Sequence, residues 1–341
     1  MANFGDGIRL AALPLLATRF THSPTAVAAV TAVQGLPWLL TGAGLGVIVD
    51  RVDRRAVMAI VDLARAAVIA GLAVAILAHG ADLLLIYLTA FVTGIGSALR
   101  VTAAVTCVPQ LVKPADLDRA NGQMVAANIV GSELAGPAAG GWLFGLAAAL
   151  PFAAGAGALG IAALLLLTLP SVFRPPPRPP EPAPASAVGS IRRDLGEGIR
   201  WLWEHSEIRD LTLAVGVIAA MDAAWIAVLV LYVFQILHQK AGIYGLLLAS
   251  AALGGIAAGA AGTRLTRRVG PWRSLLLAAL VMAATQTVLG LTANVITAAA
   301  MLCASSAAWA PRRSARSRAA HWRPVPESEP RCWPVPCPSL R

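Results

Sequence analysis

The chain has 341 residues, of which 57% are apolar and only 13% charged, with a mean hydropathy of +0.71 and a formal net charge of +10. A chain of this length cannot hide that much apolar surface in one soluble core, so composition excludes a water-soluble globule and points to a polytopic membrane protein. The basic residues sit in short loops at alternate helix ends and in the last stretch, which reads as membrane topology and not as a nucleic-acid footprint.

In chain order, apolar runs predict spans near 4–20, 26–49, 56–78, 82–106, 122–143, 150–170, 209–236, 242–263, 274–292 and 294–309. At about 1.5 Å rise per residue, runs of this length approach or reach the roughly 30 Å of a hydrocarbon core. A signal peptide over residues 2–20 is the lesser reading, because Asp6 and Arg9 interrupt its start and further spans follow at once. If the first span runs from inside to outside, the loops holding Arg51, Arg54 and Arg55, then Lys113 and Arg119, then Arg264, Arg267, Arg268 and Arg273 are all cytoplasmic.

Between Pro170 and Ser190 the chain becomes a run of proline, arginine and alanine, which favours an extended spacer and cannot cross a bilayer as a helix. Residues 1–170 are therefore a bundle of six spans and 171–208 a cytoplasmic linker. In the stretch that follows it, Ile191, Leu195, Ile199 and Leu202 recur at helical spacing among charges, as in a helix lying on the inner membrane surface or a plain cytosolic one. Residues 209–309 hold about four more spans. The stretch Gly262–Arg273 follows the eighth span much as Gly46–Arg55 follows the second, an echo that suggests two repeated halves, although Arg267 stands opposite Asp50.

From about Ala310 to Arg341 no apolar period remains, and the mixture of Arg, Pro, Ser, Ala and Trp predicts disorder. Two readings stay open for this tail. One is a frameshift near residue 308 that replaces two further spans; the other is a basic cytoplasmic tail that binds anionic lipid.

The stretch Gly46-Val-Ile-Val-Asp50-Arg51-Val-Asp53-Arg54-Arg55 resembles the loop between helices 2 and 3 of the major facilitator superfamily, with Asp53 where glycine is usual. Pro37-Trp-Leu-Leu, Asp62-Leu-Ala-Arg65, Leu117-Asp-Arg-Ala-Asn121-Gly and Gly136-Pro137-Ala-Ala-Gly140-Gly141 look like its bacterial enterobactin and macrolide exporter branch. The resemblance covers about residues 3–307. It implies an all-α major facilitator fold of two pseudo-repeated bundles, here with about ten of the usual twelve spans. It also implies proton-coupled efflux of small amphipathic molecules, drug or siderophore-like, from a bacterial plasma membrane by a monomer without cofactor or metal.

The resemblance gives Gly136, Pro137, Gly140 and Gly141 the role of the drug and proton antiport motif, with close packing in a glycine-rich bundle as the plainer alternative. Asp50, with Arg51, Arg54 or Arg55, reads as a latch on the cytoplasmic side or as a solvated turn that sets topology. In the fourth span, acids common in that branch are replaced by Gly94-Ile-Gly96-Ser97-Ala-Leu-Arg100.

Ionisable groups inside spans carry more weight, because a carboxylate at the bilayer centre costs about 2.5 to 3.5 kcal/mol even on lenient scales. Asp62 and Arg65, three apart on one helical face, are expected to neutralise each other, and Asp6 and Arg9 share that spacing. Glu133 and Asp222 show no such local partner. Burial favours the uncharged form of a carboxylate, so Glu133 ranks first as a proton carrier, followed by Asp6 and Asp222. Arg100 either binds an anionic substrate or pairs with Glu133. An enzyme is disfavoured: no catalytic cluster is visible, the histidines fall at span ends or outside, and no phosphate-binding glycine loop is present.

Overall fold

The computed structural model describes residues 1–41, 53–112, 116–168, 228–269, 271–292 and 294–306, with scattered positions between 196 and 226. These residues form helices α1 (Ala2–Ala17), α2 (Pro24–Thr41), α3 (Arg54–Leu77), α4 (Leu83–Leu111) and α5 (Leu117–Asn128). After a π-helical turn at Ile129–Ala135 come α6 (Gly136–Leu146) and α7 (Leu150–Thr168). The second half contributes a π-helical turn at Tyr232–Ile236, then α8 (Ala241–Val269) and α9 (Pro271–Leu291). A short apolar helix follows at Val295–Ser306.

Helix starts follow from local chemistry. Asp53 caps α3, its Oδ1 accepting from the Arg55 backbone N–H at 3.0 Å, which gives a physical reason for a carboxylate where the related loop carries glycine. Asp82 does the same for α4, accepting from the Leu85 N–H at 2.7 Å. The basic stretch expected to be a loop after residue 263 is helical instead, since α8 runs on to Val269 and α9 begins at Pro271, where a proline needs no backbone donor.

Three described helices are long and apolar enough to span a bilayer: Arg54–Leu77, Leu83–Cys107 and Leu150–Thr168. The 16-residue α1 is shorter and carries Asp6 and Arg9. In the second half Ala241–Ala257, Leu280–Leu291 and Val295–Ser306 are shorter apolar helices. Large apolar side chains cover the outside, with Ile60 and Leu280 both 65% exposed, as suits contact with acyl chains.

Helix α1 runs through the middle of the first half, packed on α6 and α7, while α3 lies along α7 and α4, and α2 along α4. Helix α8 packs on α6 and joins the halves. The core brings Leu13 and Leu16 of α1 together with Ile69, Phe152 and Tyr244.

Candidate functional site

Four helices of the first half converge on a buried polar cluster. Helix α1 supplies Asn3, Asp6 and Arg9, α2 supplies Gln34, α3 supplies Asp62 and Arg65, and α4 supplies Thr93, Ser97 and Arg100. The expected Asp62–Arg65 pair is present at 3.2 Å and the Asp6–Arg9 pair at 3.4 Å. Neither is isolated. Arg65 also pairs with Asp6, and Arg100 Nε donates to Asp62 Oδ2 at 2.9 Å, so the five charges form a chain across α1, α3 and α4.

Hydrogen bonds fix the ends of this chain. Arg9 donates to Gln34 Oε1 at 3.1 Å, Thr93 Oγ1 at 3.2 Å and Ser97 Oγ at 3.3 Å. Ser97 Oγ in turn lies 3.1 Å from Asp6 Oδ1, and Arg100 reaches Asn3 Oδ1 at 3.4 Å. Asp62 is fully buried and Arg65 is 1% exposed, whereas the Asp6 and Arg100 side chains remain 19% and 17% exposed. Gly96 makes this possible, because a Cβ there would stand 2.7 Å from Arg65 Cγ. The fourth-span stretch that departs from the exporter pattern is thus the stretch that receives the arginines.

Arg100 pairs with Asp62 and not with Glu133, one of the two options its position allowed. Glu133 is half-buried and accepts from Asn128 Nδ2 at 3.3 Å, five residues earlier. That partner exists because Glu133 lies in the π-helical turn, where residues five apart share a face. An α-helical spacing gave no hint of it. Asp222, Gly46, Asp50 and Arg51 lie outside the described residues.

The π turn and the Gly-Pro motif explain each other. Pro137 has no N–H to donate, and the Gly136 N–H reaches back five residues to Gly131 O. Ser132 Oγ then donates to Asn3 O at 2.9 Å, tying the turn to α1. The motif glycines stand where backbones meet: a Cβ on Gly140 would lie 2.7 Å from Ile8 O, and one on Gly141 would lie 2.9 Å from Gly245 Cα. Close packing of α6 between α1 and α8 is therefore a realised property of these residues.

Arg54 and Arg55 turn inward to neighbouring helices. Arg55 Nε donates to Leu166 O at 2.7 Å, its Nη2 to Leu167 O, and Arg54 Nη1 to Thr106 O at 3.4 Å. Cations at the carbonyl-rich ends of α7 and α4 are favourably placed in the helix dipole. Among the described residues no group of His, Cys, Asp and Glu could hold a metal ion.

The family model described as transmembrane secretion effector matches residues 1–322. No curated protein gives a significant match. Among solved structures, the chain is similar to a bacterial homologue of the human lysosomal transporter Spinster, inward-facing and occupied, with TM-score 0.67 and 18% identity over 93% of this chain and 73% of that one. It is also similar to a D-xylose–proton symporter, with TM-score 0.56 and 17% identity over 91% of this chain and 77% of the other.

Proposed function

This chain belongs to the transmembrane secretion effector family of major facilitator transporters, and on that premise we propose that it exports small amphipathic molecules, drug or siderophore-like, in exchange for protons. It acts as a monomer in a bacterial plasma membrane by alternating access, the two halves rocking about the seam where Gly141 meets Gly245. The observation that carries the proton coupling is Asp6. It is the one carboxylate of the buried cluster that is both held by two arginines and still partly exposed. A proton on Asp6 releases Arg9 and Arg65 from it, so protonation changes which helices are tied together. At 100 mV each charge moved across the membrane is worth about 2.3 kcal/mol. Asp50 with Arg51, Arg54 and Arg55 serves as the cytoplasmic latch of this cycle, and Asp222 is a secondary proton candidate.

Efflux of a dye panel from energised cells or inverted vesicles, with a protonophore control, tests this. Asp6→Asn is expected to abolish protonophore-sensitive transport, and Glu133→Gln to leave it within about twofold. Coupling that survives in Asp6→Asn and disappears in Glu133→Gln would move the proton site to the π turn. Absence of any transport by correctly inserted protein would favour the alternative, an inactive remnant of such a transporter.

A further inference from the structure

We propose that the arginine cluster of the first half binds a carboxylate or phosphate group on the cargo, so that the molecules carried are amphipathic anions. The proposal rests on the transporter reading and specifies its substrate class. Arg9, Arg65 and Arg100 face only Asp6 and Asp62 in the ion pairs described, which leaves one positive charge in excess. An uncompensated charge inside a membrane protein is costly, and such residues mark ligand or ion paths.

The donors point the same way. Arg9 Nε, Arg65 Nε and Gln34 Nε2 are buried without a hydrogen-bond partner, although Arg9 is 7% and Arg65 1% exposed. Buried N–H groups are nearly always paired, and those of guanidinium match the paired oxygens of carboxylate or phosphate. The partly exposed Asp6 and Arg100 side chains form the open edge through which such a group would enter. Among the described residues of 224–306, by contrast, internal polar contacts such as Tyr232 OH to Thr292 O and Ser250 Oγ to Ala299 O are neutral, and Tyr244 and Leu247 lie in the apolar core, which suits the apolar body of an amphiphile.

A bound monoanion neutralises the cluster, whereas a proton on Asp6 makes it more positive. An inside-negative potential then favours the protonated form moving inward and does not oppose the anion-loaded form moving outward. Asp6 and the cargo anion draw on the same Arg9 and Arg65 donors, so neutralising Asp6 tightens the hold on the anion.

The test uses the full chain in neutral detergent, titrated with 11-(dansylamino)undecanoate and, separately, with its methyl ester. Energy transfer from the nine tryptophans is the readout. The acid is expected to bind at least about tenfold tighter than the ester. Arg100→Gln removes that preference, Arg100→Lys keeps most of it, and Asp6→Asn tightens the acid severalfold without moving the ester. The opposite sign of the Asp6→Asn effect is one that mere structural damage would not produce, and it remains readable if Arg100→Gln fails to fold. Equal binding of acid and ester, or weaker acid binding in Asp6→Asn, overturns the proposal. Displacement by phosphatidylglycerol assigns the anion to a lipid headgroup, and displacement by benzoate to a soluble organic acid; either supports an anion site. Proton-coupled efflux with no preference for the acid would sink this inference alone. A preference for the acid without proton coupling would sink only the exchange reading.

Discussion

The two halves of this molecule solve the same problem with different chemistry. In the first half, charged residues from three helices are linked in the interior, with Asp62 fully enclosed between Arg65 and Arg100. Among the described residues of 224–306 the internal polar contacts are neutral ones, such as Tyr232 OH to Thr292 O at 2.8 Å and Ser250 Oγ to Ala299 O at 3.4 Å. Buried ion pairs are poor sources of stability but are damaging to break, because the surviving partner is left charged in a low dielectric. The first half therefore holds a device whose tie points depend on protonation, while the second offers a neutral wall. The pairing suits a transporter in which one half senses charge and the other accommodates shape.

The sharpest way to break this comparison is Asp62→Asn. It leaves Arg65 and Arg100 without their shared carboxylate and is expected to cost about 3–5 kcal/mol, seen as a large drop in thermal midpoint or failure to recover folded protein in detergent. A loss no larger than that of a neutral contact in the second half would remove the distinction. Next comes the seam between the halves. Gly141→Ala places a Cβ 2.9 Å from Gly245 Cα, and with backbone rather than a flexible side chain to yield the cost is about 1–3 kcal/mol, measured by the same melting experiment together with transport rate.

Arg55→Ala removes the donors to Leu166 O and Leu167 O at the end of α7 and is expected to cost about 1 kcal/mol. Hydrogen exchange should rise in the last turn of α7 and leave α8 unchanged. The smallest effect concerns the neutral half and has the opposite sign. Tyr244 OH is buried without a hydrogen-bond partner, so Tyr244→Phe removes an unsatisfied polar group and should leave the midpoint unchanged or raise it by up to about 1 kcal/mol of stability. A clear loss in that variant would mean that the hydroxyl has a partner in the working protein, and the second half would no longer count as neutral packing.

Part of the charged cluster was legible in advance. Asp62 and Arg65 stand three apart, and in an α-helix that spacing fixes a common face, which is why their pairing could be read directly. The Asp6–Arg9 spacing in α1 carried the same signal, while its extension to Asn3 and the like stripe in α4 lay unused. Asn3, Asp6 and Arg9 are three apart in turn, and Thr93, Ser97 and Arg100 are four and then three apart, so each set marks one polar stripe on an otherwise apolar helix. Two stripes imply partners, but not which helices face each other. On the sequence alone Arg100 therefore binds an anionic substrate or pairs with Glu133, and Asp62 does not enter as its partner. The Glu133–Asn128 bond escaped notice for a different reason, since a five-residue spacing is meaningless until the helix is known to widen there.

By itself, the sequence determined the membrane class, the all-helical architecture and the presence of costly charges inside the helices. Those features rest on composition and on periods of three to four residues, which are local and survive without knowledge of neighbours. Tertiary structure alone decided that three arginines converge on two carboxylates, that the Gly-Pro motif is the seam between α1 and α8, and that Arg55 closes the end of α7. Each of these depends on contacts between helices distant in sequence, 38 positions apart for Arg100 and Asp62 and 111 for Arg55 and Leu166, fixed by how helices rotate and cross. A backbone period cannot encode that geometry, because every helix offers several faces and only packing selects one.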